Sequence, residues 1–298
     1  MNHRSIVHDL QISKLSFGCA SYWSKPIFPE RKALKILATA YENNINYFHT
    51  APHYNMGEIR LGKFIRDCRP KKAIFSTSAG RYFFSGNKII PDLEPKSIET
   101  SLETSLKNLN IEAVDILFLY GLFQKDFSNE KFIQDLMDLK KKGKVRFLGL
   151  FGMDASNFMV DIPKHDLFDA YMFPHSISNK NDDAINILHD SNKLVITFGS
   201  ISTMKNYFKV RDLPSLWYLL RSIRRFDYSR KTNELFNYFI YKNDLGNNHN
   251  PIQDSLNFSL RNRKIHSTLI NTCNEKHLLE NMELLHGYDA GQPWRTKI

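Results

Sequence analysis

The residues best able to do chemistry gather between Ile45 and Gly62, in the stretch INYFHTAPHYNMGEIRLG. A short β-prone run, Ile45-Asn46-Tyr47-Phe48, ends in His49-Thr50-Ala51, Tyr54 follows, and a helix signal opens near Met56-Gly57-Glu58. An imidazole and a phenol close together suit proton transfer. A phenol, with an unperturbed pKa near ~10, needs a neighbour that favours its ionised form before it exchanges protons readily at neutral pH. The order strand, loop, helix says what must position them. In a parallel barrel, strand ends converge on one face while the loops beyond them vary, so polar residues at a strand end are placed for catalysis. His49 and Tyr54 are therefore the first site candidates. His53, beside Tyr54, faces either solvent or substrate.

The rest of the chain supplies the matching elements. A lead-in, Leu10 to Lys14, precedes a first barrel strand at Leu15 to Cys19. Apolar residues at Ala33, Leu34, Ile36, Leu37 and Ala40 make a helical stripe over Arg31 to Asn43, with Pro29-Glu30 as its start. Further helices are predicted over Gly57 to Arg66, Pro95 to Leu109 and Phe132 to Lys142. Strands are predicted at Ala73 to Thr77, Val114 to Tyr120, Lys144 to Gly149, Ala170 to Phe173, Leu194 to Phe198 and Ser267 to Ile270. Between Thr203 and Asn250 the pattern is irregular and aromatic-rich, consistent with one or two helices and a long loop. Eight strand–helix alternations without a compositional boundary predict one (β/α)8 TIM barrel domain over residues 1–298.

These residues resemble the aldo-keto reductase signature, in which a strand ends in Asp-Thr-Ala, a Tyr follows, and a Glu-x-x-Leu-Gly helix comes next. Thr50-Ala51, Tyr54, Glu58 and Leu61-Gly62 match, while His49 stands at the Asp position. Ser76-Thr77-Ser78-Ala79-Gly80-Arg81 resembles the family's Ser-Thr-Lys-x-Gly-Arg, most like the branch that handles free aldoses, with Ser78 at the Lys position. Val114 to Tyr120 resembles the strand that ends in the catalytic His, with Tyr120 in its place, and Gly143 to Gly149 resembles a further family strand. Gly18 resembles the glycine where the first strand's backbone meets cofactor. Near the end of the chain, Ile270 to Asn281 resembles the cofactor loop and helix: Thr272 holds a hydroxyl position that can reach phosphate oxygens at a helix N-terminus, and Glu280-Asn281 match the pair that meets the adenine. Phe198 is placed to stack on a nicotinamide ring, or else belongs to the barrel core.

The resemblance implies NAD or NADP as cofactor and a small carbonyl or sugar as substrate. Asn271 replaces the usual Lys or Gly before the hydroxyl, Phe151-Gly152 replace a Ser-Asn pair, and His277 stands where an Arg would read the 2′-phosphate of NADP. Replacing the Asp and the Lys together, by His49 and Ser78, avoids leaving one charge of a buried pair unmatched. His49 then either lends positive charge to Tyr54, sits neutral in a hydrogen bond to Ser78, or forms a nucleophilic dyad with it. Tyr120 can hydrogen-bond an oxygen, and both tyrosines can pack at the barrel mouth. Two functions follow: an oxidoreductase working through an altered site, or a non-redox relative, a pseudoenzyme that binds a nucleotide or other ligand.

The bulk properties narrow the classes. The 298 residues are 42% hydrophobic, enough for a large core. No run of about 18 apolar residues suggests a membrane span. The first residues lack an apolar signal core, and Cys19, Cys68 and Cys273 have no metal or disulfide spacing, so the expected compartment is the cytoplasm. The formal charge of +10 draws on basic clusters such as Lys140-Lys141-Lys142-Gly143-Lys144. None coincides with a nucleic-acid motif, and this run falls at a predicted helix C-terminus, where cations are favoured. An anionic small molecule fits the charge equally well.

Overall fold

Eight parallel strands close on one another in chain order in the computed structural model, which describes residues 4–7, 9–83, 89–120, 129–155, 167–177, 179–200, 212–224 and 251–286. A hairpin comes first, β1 (Arg4–Val7) and β2 (Leu10–Ser13), antiparallel. The barrel follows as β3 (Leu15–Gly18), β4 (Tyr47–His49), β5 (Ile74–Ala79), β8 (Val114–Tyr120), β9 (Val145–Phe151), β10 (Ala170–Pro174), β11 (Leu194–Phe198) and β12 (Ser267–Ile270). A second hairpin, β6 (Arg81–Phe83) with β7 (Ile89–Pro91), is inserted after β5. The helices are α1 (Glu30–Glu42), α2 (Gly57–Cys68), α3 (Pro95–Leu109), α4 (Glu130–Lys141), α5 (Asp182–Asp190), α6 (Leu213–Arg224), α7 (Pro251–Arg261) and α8 (Glu275–His286). The predicted barrel is the observed one. Apart from α6, the expectation for 203–250 lies outside the described residues.

Two packed layers follow from the strand period of two. Tyr47, Ile74, Ile116, Phe118, Met172 and Ile196 point inward and fill the barrel. Phe48, Phe75, Leu117, Leu148, Tyr171 and Val195 point outward against the helices. Helix ends are set locally: Pro95 opens α3, Asn110 closes it at φ 59°, and the Asn129 side chain accepts the Phe132 N–H at the start of α4.

The lead-in proves to be half of a plug. Leu10 and Ile12 of β2 join the cluster that fills the barrel interior. Asn46, buried just before β4, pins them: its side-chain oxygen accepts the Ser13 N–H at 2.7 Å and its amide donates to the Gln11 carbonyl at 2.6 Å. With the N-terminal end of the barrel filled this way, the site must be sought at the C-terminal end.

The lysine run lies at the end of α4 as expected, and each charge has a carboxylate: Lys140 meets Asp169 at 2.9 Å, Lys141 meets Asp138 at 3.0 Å, Lys142 meets Glu99 at 2.6 Å, and Lys144 meets Glu103. None of the described helices is long and apolar enough to cross a membrane.

Candidate functional site

β4 brings two inward side chains to the barrel, Tyr47 and then His49, because Phe48 between them faces outward against Phe64 and Phe75. His49 pairs in register with Gly18 on one side and Ser76 on the other. Beyond it the chain winds tightly: the Thr50 N–H extends the ladder to Ser76, Tyr54 N–H returns to Ala51, and Gly57 N–H returns to Tyr54. Gly57 is required by close approach, since a Cβ there would lie 2.5 Å from the Cys19 carbonyl oxygen and 2.9 Å from Thr50 Oγ1. This holds the Tyr54 loop against the end of β3. At Gly18, by contrast, a Cβ would make ordinary contact, 3.6 Å from the Ile270 oxygen, so packing alone does not demand glycine.

The His49 imidazole stands in an aromatic cage. Its ring lies 5.7 Å from Phe118, 6.1 Å from Tyr54 and 6.2 Å from Phe151, all edge-on. Phe151, the last inward residue of β9, joins the remaining pieces: Tyr120, at the end of β8, is 5.2 Å away and Phe198, at the end of β11, is 5.3 Å away. Tyr54, Tyr120 and Phe198 are half-buried at the rim, and His53 packs on Tyr54 at 4.5 Å. Phe151 was read from sequence only as a replacement for a Ser-Asn pair. Its inward parity with Phe147 and Gly149 was the available signal, and Gly149 is itself fixed by the Phe118 ring, which would meet a Cβ at 2.5 Å.

The expected hydrogen bond between His49 and Ser78 is not formed. Register puts His49 level with Ser76, and His49 Nδ1 lies 2.9 Å from Ser76 Oγ; Ser78 is one inward position further along β5. Among the described residues, Ser78 Oγ and His49 Nε2 are both buried without a hydrogen-bond partner, so neither the satisfied pair nor the nucleophilic dyad is formed. Burial, with a smaller push from His53, holds the His49 imidazole far below its ordinary range, at about 3. It is neutral, and lends no positive charge to Tyr54.

The distal candidates sit together at the start and along the middle of α8. Thr272 Oγ1 accepts the Asn274 N–H at 3.1 Å, and Asn274 Oδ1 accepts the Lys276 N–H at 2.9 Å, so this loop caps the helix. Asn271 donates to the carbonyls of Gly18 and Ala20 at 2.6 and 2.9 Å, tying the end of β12 to the end of β3. Asn281 is buried, while Glu280 is half-buried with Lys276 at 3.7 Å.

Comparison with known proteins decides the family. The model of the Aldo/keto reductase family matches residues 14–202. The chain belongs to the aldo/keto reductase family. L-galactose dehydrogenase of Arabidopsis thaliana is 29% identical over 157 residues, covering 50% of this chain and 47% of that protein. The uncharacterized oxidoreductase YqkF of Bacillus subtilis is 26% identical over 197 residues, covering 65% of this chain and 62% of that one. The chain spans about half the length of the curated relatives it matches, between 41% and 62% for the first of them. The solved structure of aldo-keto reductase AKR11C1 from Bacillus halodurans, in its holo form, superposes with a TM-score of 0.74 at 20% identity, over 95% of this chain and 90% of that one, a likeness of fold.

In this member of the family, Glu58-x-x-Leu-Gly is a structural motif. Glu58 is buried and accepts Thr77 Oγ1–H at 2.8 Å and the Asn108 amide at 3.0 Å, joining α2 to β5 and α3. Leu61 is buried in the outer core, and Gly62 lets α2 touch α3, because a Cβ there would lie 2.1 Å from the Asn108 oxygen. A residue that sequence reading passed over completes the frame. Arg60, buried and with no carboxylate bonded to it among the described residues, donates to the carbonyls of Trp23, Lys25 and Phe28, and so shapes the loop after β3 that borders the mouth.

Proposed function

We propose that this chain is an NAD(P)-linked oxidoreductase acting on a small carbonyl compound or free sugar, with Tyr54 as the residue that exchanges a proton with the substrate oxygen. The observation that carries the reading is the gathering of Tyr54, His49, Tyr120 and Phe198 around Phe151 at the C-terminal mouth of the barrel, where a fold of this type keeps its active site. Membership of the aldo/keto reductase family supports the reaction class, and the name of the Arabidopsis relative supports a sugar among the possible substrates.

The residues present fit a nicotinamide nucleotide. Phe198 offers a half-buried aromatic face at the rim, and buried polar atoms without partners, His49 Nε2 and Ser78 Oγ, await an oxygen. Thr272, Glu280 and Asn281 line the loop and helix that would hold the distal end of NAD or NADP. A bound nicotinamide supplies or accepts the hydride. Tyr54 gives its hydroxyl proton to the carbonyl oxygen in reduction and takes it back in oxidation, while Tyr120 hydrogen-bonds the same oxygen. With His49 neutral and Ser78 uncharged, neither of these two positions places a cation beside the Tyr54 phenol, which supports a slower reaction. The ion pairs of the lysine run leave that patch balanced, and this supports a small-molecule partner over nucleic acid.

The test is a titration of the purified protein with NADH and NADPH, followed by protein fluorescence quenching. Saturable binding of one of them is expected. No binding of either at millimolar concentration would refute hydride transfer and leave the second reading, a barrel that binds another ligand.

A further inference from the structure

Tyr47, Ser76 and His49 form a hydrogen-bonded chain inside the barrel. The Tyr47 hydroxyl lies 2.8 Å from Ser76 Oγ, which in turn lies 2.9 Å from His49 Nδ1. Tyr47 and Ser76 are fully buried, and His49 is 2% exposed. Ser76 Oγ is the one hydrogen-bond partner of the Tyr47 hydroxyl and of the His49 ring among the described residues. The chain can hold its protons in three ways. If His49 Nδ1–H donates to Ser76 and Ser76 to Tyr47, the phenolic proton is stranded. If Tyr47 and His49 both donate to Ser76, the serine proton is stranded. In either case Nε2 is also left as a buried acceptor with no donor. Only Tyr47 donating to Ser76, and Ser76 donating to His49 Nδ1, uses both hydroxyl protons. The ring is then protonated at Nε2, the buried nitrogen without a partner.

A second unpartnered group lies beside it along the barrel. Ser78 follows Ser76 by two residues on β5, so it faces the same interior one step nearer the mouth, and its Oγ is buried and unbonded. The walls around the imidazole are Phe118, Phe151 and Tyr54. The two unpartnered groups, a neutral imidazole and a hydroxyl, carry no charge, and a bare anion would be costly to bury against them.

We propose that Tyr47 and Ser76 lock His49 as the Nε2–H tautomer, and that this N–H, with Ser78 Oγ, forms a seat for the oxygen of an uncharged sugar or carbonyl ligand. The class of ligand rests on the reductase reading above; the tautomer rests on the hydrogen-bonded chain alone. The seat favours a free aldose over the corresponding sugar acid, because His49 and Ser78 offer neutral hydrogen bonds and no charge. His49 is in this account a ligand-binding residue, and Tyr47 and Ser76 are positioning residues that act through it.

The experiment is long-range proton–nitrogen NMR on the full chain labelled at histidine, with D-xylose as the neutral probe and D-xylonate as the charged one. At neutral pH the His49 signals should show a protonated Nε2 and an unprotonated Nδ1. Ser76→Ala should release the ring into a mixture of tautomers, and Tyr47→Phe should do so partially with the fold intact by the remaining histidine signals. D-xylose should shift the Nε2 resonance, D-xylonate should not, and Ser78→Ala should raise the half-maximal D-xylose concentration about tenfold. A proton on Nδ1, or an imidazolium, would overturn the lock. No shift with D-xylose, or a shift with D-xylonate, would overturn the seat. Neither readout needs nucleotide or turnover, so failure to bind NADH and NADPH would remove the reductase reading while leaving the tautomer to stand or fall by itself.

Discussion

Acid should unfold this protein through three buried imidazoles. His49, His175 and His266 are each held neutral by burial, at about 3, about 4 and about 4, against an ordinary value of 6.5. The geometry agrees at His266, whose Nδ1 accepts the Val195 N–H at 3.0 Å and would lose that bond on protonation. His175 Nδ1 meets Ser259 Oγ at 2.7 Å, in a ring stacked on Phe258. The sign follows from proton uptake. Below 6.5 the unfolded chain binds these protons while the folded chain does not, so stability falls as pH drops from 6.5 toward 4. Lowering the pH from 7.5 to 5 then costs about 2 kcal/mol for each ring, or about 6 kcal/mol together, a large share of the ~5–15 kcal/mol typical of a domain. Urea unfolding followed by circular dichroism at a series of pH values measures it. The His266→Gln variant, which keeps an acceptor without a titration, should lose about a third of the slope. Stability that stays flat between pH 7.5 and 5 would refute the reasoning.

Two further outcomes follow from packing and charge. Gly62→Ala should destabilise by about 3 kcal/mol in urea unfolding, because the new methyl meets the α3 backbone at Asn108, which cannot swing aside as a side chain could. Lys14, buried and donating to the Asn262 and Ile265 carbonyls, is lowered by burial from 10.5 to about 7. The unfolded chain holds that proton more tightly, so stability should climb as pH rises from 7 toward 10.5, and Lys14→Met should abolish the climb in thermal melts across that range.

The barrel was legible because its strands alternate with helices at regular spacing and their apolar runs are strong: Val114–Tyr120, Leu194–Phe198 and Ser267–Ile270 emerge with the bounds their patterns predict. The plugging hairpin was half legible, since β1 depends on pairing with β2, and β2 in turn on the side chain of Asn46, a long-range contact that local pattern does not carry. At the site, residue identities were readable and pairings were not. His49 was correctly placed at a strand end, but its partner depended on register, and a shift of one inward step exchanges Ser78 for Ser76. Arg60 sat unnoticed on a helix because its partners are backbone carbonyls of a distant loop, to which no residue type points.

The central claim is that Tyr54 transfers a proton to a carbonyl oxygen at this mouth. The most direct measurement is nicotinamide oxidation on an aldose and aldehyde panel by the native chain and by Tyr54→Phe, with nucleotide binding monitored for both. Turnover by the native chain that falls by about 10²- to 10⁴-fold in Tyr54→Phe, with nucleotide binding retained, is the predicted result. Undiminished turnover in Tyr54→Phe would contradict the account.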